Sequence, residues 1–195
     1  MLKIGITGGI GAGKSTVSRV ISSLGYPVYD SDHRAKWLMS NSDVLKNEII
    51  KLFGKKAFFK NELNRTFISN IVFKKPVLLD ELNHLVHPKV ASDYNLWVNK
   101  NKNASLLFKE AAVLIESGAY LEMDKIIVVV CSVEERINRV ILRDQLTANE
   151  IKKRINAQLS DKERIEKADF VIHNSDKEKK LEERVKEIIR KILES

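Results

Sequence analysis

Short apolar runs alternate along the chain with longer segments of helical periodicity. Near-continuous apolar runs at residues 104–111 and 125–131 are typical of parallel strands that are buried on both faces. Shorter apolar runs predict further strands at residues 2–7, 27–30 and 170–172. Because helical patterns separate these runs, the sequence predicts an α/β fold in which a parallel five-stranded sheet is flanked by helices.

The segment between the second and third predicted strands is helical throughout and too long for one crossover helix. The pattern breaks near Asn41, Gly54 and Pro76, and Pro88 stands where a new helix would start. After Pro88, residues on one helix face are apolar or aromatic: Val90, Tyr94, Trp97 and Val98. We therefore expect an inserted helical subdomain at about residues 33–103, and a core of residues 1–32, 104–143 and 168–195.

Three predicted helix starts carry the Ser/Thr-x-x-Glu signature of a capping box. In that motif the hydroxyl and the carboxylate each accept a hydrogen bond from a backbone N–H group at the helix start. The pairs are Ser132/Glu135, Thr147/Glu150 and Ser175/Glu178. The second pair lies in a basic segment, at about residues 144–167, that we expect to form a helical lid.

The composition restricts the class of protein. A chain of 195 residues that is 44% hydrophobic fits a single globular domain. Cys131 is its one cysteine, which excludes an internal disulfide framework and a cysteine-based zinc site. No apolar stretch approaches the roughly 18 residues that span a bilayer, and the N-terminus reads as a strand entering a glycine loop instead of a signal peptide. We therefore expect a cytoplasmic protein without a membrane partner.

The net charge is positive, with 34 basic and 26 acidic side chains giving +8. Such an excess accompanies nucleic-acid binding, a polyanionic small substrate or a lysine-rich surface. The lysines are spread along the whole chain, and the aromatic residues, 7% of the total, do not alternate with basic ones. The charge is therefore only weak support for an anionic ligand, and we expect no nucleic-acid partner.

Residues 8–15 read Gly-Gly-Ile-Gly-Ala-Gly-Lys-Ser, the G-x-x-x-x-G-K-[ST] pattern of a phosphate-binding loop. A predicted strand precedes the loop and a predicted helix follows, so successive backbone N–H groups can converge on phosphate oxygens at a helix N-terminus. In this motif the lysine ammonium contacts the β- and γ-phosphates, and the serine hydroxyl reaches Mg²⁺. The nucleotide contacts predicted here are Gly11, Ala12, Gly13, Lys14, Ser15 and Thr16.

Two other classes of nucleotide-binding protein fit the sequence less well. A regulatory GTPase needs an Asn/Thr-Lys-x-Asp motif, and Asn101-Lys102-Asn103-Ala104 lacks the aspartate. A mechanical ATPase places an acidic residue at the end of a second apolar strand. The predicted strand at residues 125–131 is followed by Ser132, which is not acidic. In the other apolar strand, Glu110 follows shortly after Phe108, so the mechanical ATPase stays open as an interpretation. The chain length favours a small-molecule kinase.

An acidic pair follows the second predicted strand. Asp30 and Asp32 stand at its carboxyl end, which is the sheet edge that also carries the phosphate loop. A carboxylate there could orient or deprotonate the attacking hydroxyl of a phosphoryl acceptor. Alternatively, Ser31 or Asp32 begins the next helix as an N-cap.

Arginines recur at helical spacing after the fourth predicted strand. Arg136, Arg139 and Arg143 share one helix face, and further basic residues follow between residues 152 and 167. Arginines that close over a transferring phosphoryl group would stabilise its charge and exclude water. The alternative is a solvated helix face.

Taken together, these motifs resemble the dephospho-coenzyme A kinase family over nearly the whole chain. The family's opening glycine pattern is matched at residues 6–15, and its Asp-x-Asp segment at residues 30–32. Its later blocks are matched at His87-Pro88, residues 114–118, residues 139–144, Ala157-Gln158 with Arg164, and residues 168–174. Ala112 departs from the pattern, since many members have proline at that position.

The resemblance implies ATP-dependent phosphorylation of the ribose 3′-hydroxyl of dephospho-coenzyme A, with ATP and Mg²⁺ as cofactors. It implies that Asp32 is the catalytic base, that Lys14 and Arg139 stabilise the transferring phosphoryl group, and that Ser15 holds the metal. Arg143 would assist at the nucleotide. The acceptor side would include His87, Leu114 and Glu116, although His87 could instead only support a helix start.

Two alternatives remain open beside this function. A nucleoside or nucleotide kinase of the same fold shares the loop and the lid but accepts a smaller substrate. A nucleic-acid-stimulated NTPase is compatible with the net charge of +8. We expect the small molecule dephospho-coenzyme A as the partner, and a monomer.

Overall fold

A computed structural model describes residues 1–144, 146–175 and 178–194, and for residues 178 and 179 only the backbone. The chain divides into two compact units. We call Met1–Asp30 together with Asn101–Ser195 the sheet unit, and Ser31–Lys100 the helical unit. Among the described residues, no helix is both long enough and apolar enough to cross a membrane.

The sheet unit is built on five parallel strands, as the sequence predicts. The strands are β1 (Leu2–Thr7), β2 (Val28–Asp30), β5 (Leu106–Glu110), β6 (Lys125–Val130) and β7 (Phe170–His173). Their order across the sheet is β2-β5-β1-β6-β7, so the first strand lies at the centre. The register pairs Ile6 of the central strand with Glu110 on one side and with Ile127 on the other.

Both faces of the sheet carry an apolar layer. Alternate strand residues such as Ile4, Ile6 and Val129 pack with the helices α1 (Lys14–Ser23) and α9 (Glu178–Glu194) on one face. On the other face, β6 side chains pack with partly buried residues that include Tyr120 and Met123. Burial on two faces explains why the central strands are continuous apolar runs. The unit also contains the α-helices α6 (Val133–Asp144), α7 (Ala148–Asn156) and α8 (Asp161–Ile165), and a short 3₁₀ helix at Ala119–Glu122.

The helical unit has its own small core, which includes Ile49, Ala57 and Ile68. The predicted breaks are confirmed, because one helix ends at Asn41, another ends directly before Gly54, and a third begins at Pro76. The helices are α2 (Ser31–Asn41), α3 (Asp43–Phe53), α4 (Arg65–Val72) and α5 (Pro76–Lys100).

A short hairpin in this unit contradicts the prediction of a purely helical segment at about residues 33–103. Strands β3 (Phe58–Phe59) and β4 (Glu62–Leu63) pair antiparallel. Lys60 and Asn61 between them have positive φ angles of 49° and 67°, as a two-residue hairpin turn requires. Each strand has only two residues, too few for an alternating pattern to stand out in the sequence.

The prediction that a helix starts at Pro88 is wrong, since Pro88 lies inside α5. Its missing N–H group removes one helical hydrogen bond, at a cost of about 3 kcal/mol in a helix interior. The buried stripe continues through that point, with Val86 before the proline and Val90, Tyr94 and Val98 after it. Packing of this stripe on both sides of Pro88 offsets the cost.

The capping predictions have different outcomes. Thr147 and Glu150 form a complete capping box, and the Ser132 hydroxyl accepts the Glu135 N–H at 3.3 Å. In the third predicted pair, the Glu178 side chain lies outside the described residues. A complete box that the sequence interpretation missed joins Ser160 and Glu163 at the start of α8. Gln145, within the predicted lid, lies outside the described residues as well.

The two complete boxes predict a pH dependence of stability. Hydrogen bonds from Thr147 and Ser160 lower the pKa values of Glu150 and Glu163 below the usual glutamate value. Because the unfolded chain binds these protons more tightly, this stabilisation is present above the unfolded pKa, about 4.3, and is lost as the pH falls through the lower folded values. Measured by urea unfolding, the free energy of unfolding should therefore fall less between pH 6 and pH 3 for the double variant Glu150→Gln/Glu163→Gln than for the parent. The control variant Glu166→Gln changes a residue outside both boxes and should lose as much unfolding free energy as the parent over this pH range. If the double variant also loses as much as the parent, the interpretation is wrong.

Candidate active site

The loop between β1 and α1 has the backbone shape of an anion site. Gly11 and Gly13 have φ angles of 77° and 93°, in the left-handed region that favours glycine. The Ala12 N–H donates to the Gly9 carbonyl at 3.1 Å, which curls the loop back on itself. Gly13 is the N-cap of α1, so the positive end of the helix dipole faces the loop without a capping side chain.

The glycines also allow other side chains to approach the loop. A Cβ atom at Gly9 would overlap the Arg136 guanidinium, and one at Gly13 would overlap the Asn174 amide. The Arg136 and Asn174 side chains therefore occupy the space that Cβ atoms would take, and Gly13 also has a positive φ angle.

The Lys14 ammonium lies over the carbonyl groups at the start of the loop. Its Nζ donates to the Gly8 carbonyl at 2.8 Å and to the Gly9 carbonyl at 3.4 Å. Ser15 is exposed in the first turn of α1. The Thr16 hydroxyl accepts from Arg19 at 3.4 Å. A cation and two hydroxyl groups therefore stand at the N-terminus of α1, the type of position that suits an anion.

The loop is held from outside by side chains from the C-terminal half of the chain. Arg136 Nε donates to the Ile10 carbonyl at 2.9 Å, and the Ile10 N–H donates to Gln158 at 2.9 Å. The Ala12 carbonyl accepts from Asn174 Nδ2 at 2.8 Å and from Arg139 Nη1 at 3.4 Å. Arg139 thus lies beside the loop.

Sequence reasoning missed the direct contacts of Arg136, Gln158 and Asn174 with the loop. Arg136 is 3% exposed, and Asn174 is 5% exposed. The helical spacing of the arginines put Arg136 on the same face as Arg139, but spacing could not show which one is buried. Arg143 differs from both, because it is exposed and pairs with Asp144 through two hydrogen bonds of 2.7 Å.

Asp30 ends β2 and pairs in register with Glu110 of β5. Strand β2 lies two positions from β1 in the sheet order, so the carboxyl ends of β1 and β2 are about 10 Å apart. This places Asp30 at the same edge of the sheet as the loop.

Asp32 lies in the first turn of α2. The alternative that Ser31 caps this helix is not supported, because the buried Ser31 hydroxyl has no hydrogen-bond partner among the described residues. Helix α2 is joined to α5 by Arg34 and Asp93, with Nε–Oδ2 2.9 Å and Nη2–Oδ1 2.5 Å. Asp32 therefore stands on a helix that a two-point ion pair holds in place.

The residues that the resemblance puts on the acceptor side have different surroundings. Leu114 is fully buried and packs against Gly5, so its side chain has no surface left for a ligand in this conformation. Glu116 forms an ion pair with Arg164, with Oε1–Nη2 2.8 Å. His87 lies in the middle of α5, which excludes its alternative role at a helix start. Partial desolvation, and then the neighbouring His84, lower the pKa of His87.

The donor set fits a magnesium ion that arrives with a nucleotide. The described residues contain no group of three or more His, Cys, Asp or Glu side chains arranged to hold a metal. Mg²⁺ commonly keeps several waters and takes only one or two protein ligands beside substrate phosphates. The exposed Ser15 hydroxyl at the helix N-terminus suits that role.

The family model and the curated relatives agree on one family. The sequence model described as "Dephospho-CoA kinase" matches residues 2–180. The dephospho-CoA kinase of Bacteroides fragilis is 38% identical over 96% of this chain and 91% of its own length. That of Fusobacterium nucleatum is 41% identical over 88% of this chain and 89% of its own length. The crystal structure of TT1252 from Thermus thermophilus superposes with a TM-score of 0.82 at 32% identity, covering 97% of each chain.

Proposed function

The chain belongs to the dephospho-CoA kinase family, and we propose that it catalyses the last step of coenzyme A biosynthesis, transferring the γ-phosphoryl group of ATP to the ribose 3′-hydroxyl of dephospho-coenzyme A. The observation that carries this proposal is the family match over residues 2–180, which includes the phosphate loop and both acidic positions. Asp32, Lys14 and Arg139 are the proposed catalytic residues.

On the donor side, the loop from Gly11 to Thr16 binds the phosphates through backbone N–H groups other than those of Ala12 and Thr16, which donate to the Gly9 and Gly13 carbonyls. The Lys14 ammonium stabilises the charge on the transferring phosphoryl group, and it must exchange the Gly8 and Gly9 carbonyls for phosphate oxygens when the nucleotide binds. Arg139, whose guanidinium lies beside the Ala12 carbonyl, adds a second positive charge. Ser15 is the proposed protein ligand of Mg²⁺, which neutralises charge on the β- and γ-phosphates when bound.

On the acceptor side, the 3′-hydroxyl oxygen of the ribose attacks the γ-phosphorus, and the Asp32 carboxylate accepts the proton of that hydroxyl. The bond between that phosphorus and the bridging oxygen of ADP then breaks. The helical unit, with His87, is the proposed place of acceptor binding. The lid at residues 144–167, the role of Arg143, the monomeric state and the cytoplasmic location stay predictions.

An acceptor assay tests this function against the two alternatives. With ATP and Mg²⁺, we expect ADP release only when dephospho-coenzyme A is present, and a product phosphorylated at the 3′ position, read by mass spectrometry and phosphorus NMR. EDTA should abolish the reaction and added Mg²⁺ should restore it. Turnover with nucleoside monophosphates alone would favour the nucleotide kinase. ATP hydrolysis that rises on addition of DNA or RNA would favour the nucleic-acid-stimulated NTPase.

A further inference from the structure

Two arginines of the sheet unit are buried and joined by acidic partners. Arg136 is 3% exposed, and Arg164 is fully buried. Asp161 contacts both, with 3.3 Å between its Oδ2 and Arg136 Nη1 and 3.6 Å between its Oδ1 and Arg164 Nη1. Glu116 completes the series through its 2.8 Å contact with Arg164 Nη2. We call Glu116, Arg164, Asp161 and Arg136 the ion-pair chain.

One end of the ion-pair chain is hydrogen-bonded to the phosphate loop. Arg136 Nε donates to the Ile10 carbonyl at 2.9 Å. In a planar trans peptide, the carbonyl and the next N–H group point in opposite directions. Holding the Ile10 carbonyl against Arg136 therefore directs the Gly11 N–H away from Arg136, toward the side where phosphate oxygens bind.

The same side of the loop has a second support next to the ion-pair chain. Gln158 accepts the Ile10 N–H at 2.9 Å and stands three residues before Asp161. Both backbone polar groups of Ile10 are therefore bonded to side chains whose positions depend on residues 136–164. A displacement of α8 would therefore change the direction in which the loop N–H groups point.

The buried arginines have few other partners. Arg164 donates to the Leu159 carbonyl and to Glu116, and its buried Nε has no hydrogen-bond partner among the described residues. Removing one member of a buried charge pair leaves the other charge uncompensated, which is strongly unfavourable. Without Glu116, the buried Arg164 would keep only its longer, 3.6 Å ionic contact with Asp161, so we expect Arg164 to shift toward Asp161 and to displace Asp161 and Arg136.

We infer that Glu116 is a positioning residue for the nucleotide, acting through Arg164, Asp161 and Arg136 on the phosphate loop, and that it is not a contact of the acceptor. The inference rests on the proposed function, because it takes the loop to be the nucleotide site. It deepens that function by moving Glu116 from the acceptor side to the donor side. Its consequence is that nucleotide affinity depends on a carboxylate that does not touch the nucleotide.

Variants of Glu116 test this inference by calorimetric titration with a non-hydrolysable ATP analogue and Mg²⁺, without acceptor. Glu116→Ala should raise the nucleotide Kd about tenfold, equivalent to about 1.4 kcal/mol, and should raise the KM for ATP in parallel. The KM for dephospho-coenzyme A should change less than about twofold. Glu116→Gln keeps an oxygen that can accept from Arg164 Nη2, so it should recover most of the affinity.

A matched control separates positioning from general destabilisation. Asp169 is another half-exposed carboxylate of the sheet unit, bonded to the Ile126 N–H at 2.8 Å and to Lys125 at 3.3 Å. Within the part of the chain that the structure describes, it shares no partner with the ion-pair chain. Asp169→Asn should lower the melting temperature and leave the nucleotide Kd unchanged. If it weakens nucleotide binding as much as Glu116→Ala does, the inference is wrong.

Further outcomes distinguish the inference from the proposed function. An unchanged nucleotide Kd with a raised KM for dephospho-coenzyme A in Glu116→Ala overturns the inference, and leaves the proposed function standing. A parent protein that binds no ATP analogue overturns the proposed function itself. If Glu116→Ala does not fold, Asp161→Asn provides the same test from the middle of the ion-pair chain. Asp161→Asn should also raise the nucleotide Kd, and an unchanged nucleotide Kd in this variant overturns the inference.

Discussion

Replacing Asp32 with asparagine should lower the turnover number by about 10²- to 10⁴-fold, the range that a general base contributes. Asparagine keeps nearly the same size and can still accept a hydrogen bond, but it cannot take the proton of the 3′-hydroxyl. The Kd for an ATP analogue should change little, because the donor phosphates are bound by the loop of the sheet unit. Steady-state kinetics with both substrates, together with calorimetric titration of the analogue, give the two quantities separately.

Asp43→Asn is the matched control for this variant. Asp43 stands in the first turn of α3, as Asp32 stands in the first turn of α2, and both helices belong to the helical unit. An acidic residue at that position stabilises a helix by roughly 0.3–1 kcal/mol through the helix dipole. If Asp32 only stabilises its helix, the two variants will lose similar stability and both will keep their turnover. That result would remove Asp32 from the mechanism.

The sheet and the loop could be predicted from the sequence because local patterns determine them. Strand β1 was predicted with its observed bounds, Leu2–Thr7, because it joins an apolar run directly to the glycine pattern. The parallel arrangement follows from continuous apolar strands that alternate with helices, and it is confirmed by the register of β1 with β5 and β6. The phosphate motif needs no tertiary information, because its glycines and Lys14 are adjacent in the chain.

The supports of the loop could not be predicted in the same way. Gln158 and Arg136 contact Ile10 from positions 148 and 126 residues away in the sequence. No helical or strand period connects residues at such separations, so only the folded chain shows that they meet. The same limit explains Leu114 and Glu116. Their segment was matched to the family, but the burial of Leu114 and the ion pair of Glu116 depend on β1 and α8.

Replacing Lys14 with alanine should lower the turnover number by about 10²- to 10³-fold, the loss typical when a group that stabilises transition-state charge is removed. The ammonium stands at the N-terminus of α1, where its charge adds to that of the helix dipole. Initial rates of ADP formation at saturating ATP and dephospho-coenzyme A measure the change in turnover number. Lys125→Ala, which removes a lysine paired with Asp169 in the same unit, is the control and should keep the parental rate.

The contacts of Lys14 allow a second reason for such a loss, and nucleotide binding separates the two. Because Nζ donates to the Gly8 and Gly9 carbonyls, the lysine could act only by holding the loop in shape. In that case Lys14→Ala would lower the affinities for ADP and for an ATP analogue by the same factor, since both nucleotides bind to the loop. If the ammonium acts on the γ-phosphate, the affinity for the ATP analogue must fall more than the affinity for ADP. We expect the second result, because an ammonium that exchanges its carbonyl partners for phosphate oxygens gains most where the charge of the nucleotide is greatest.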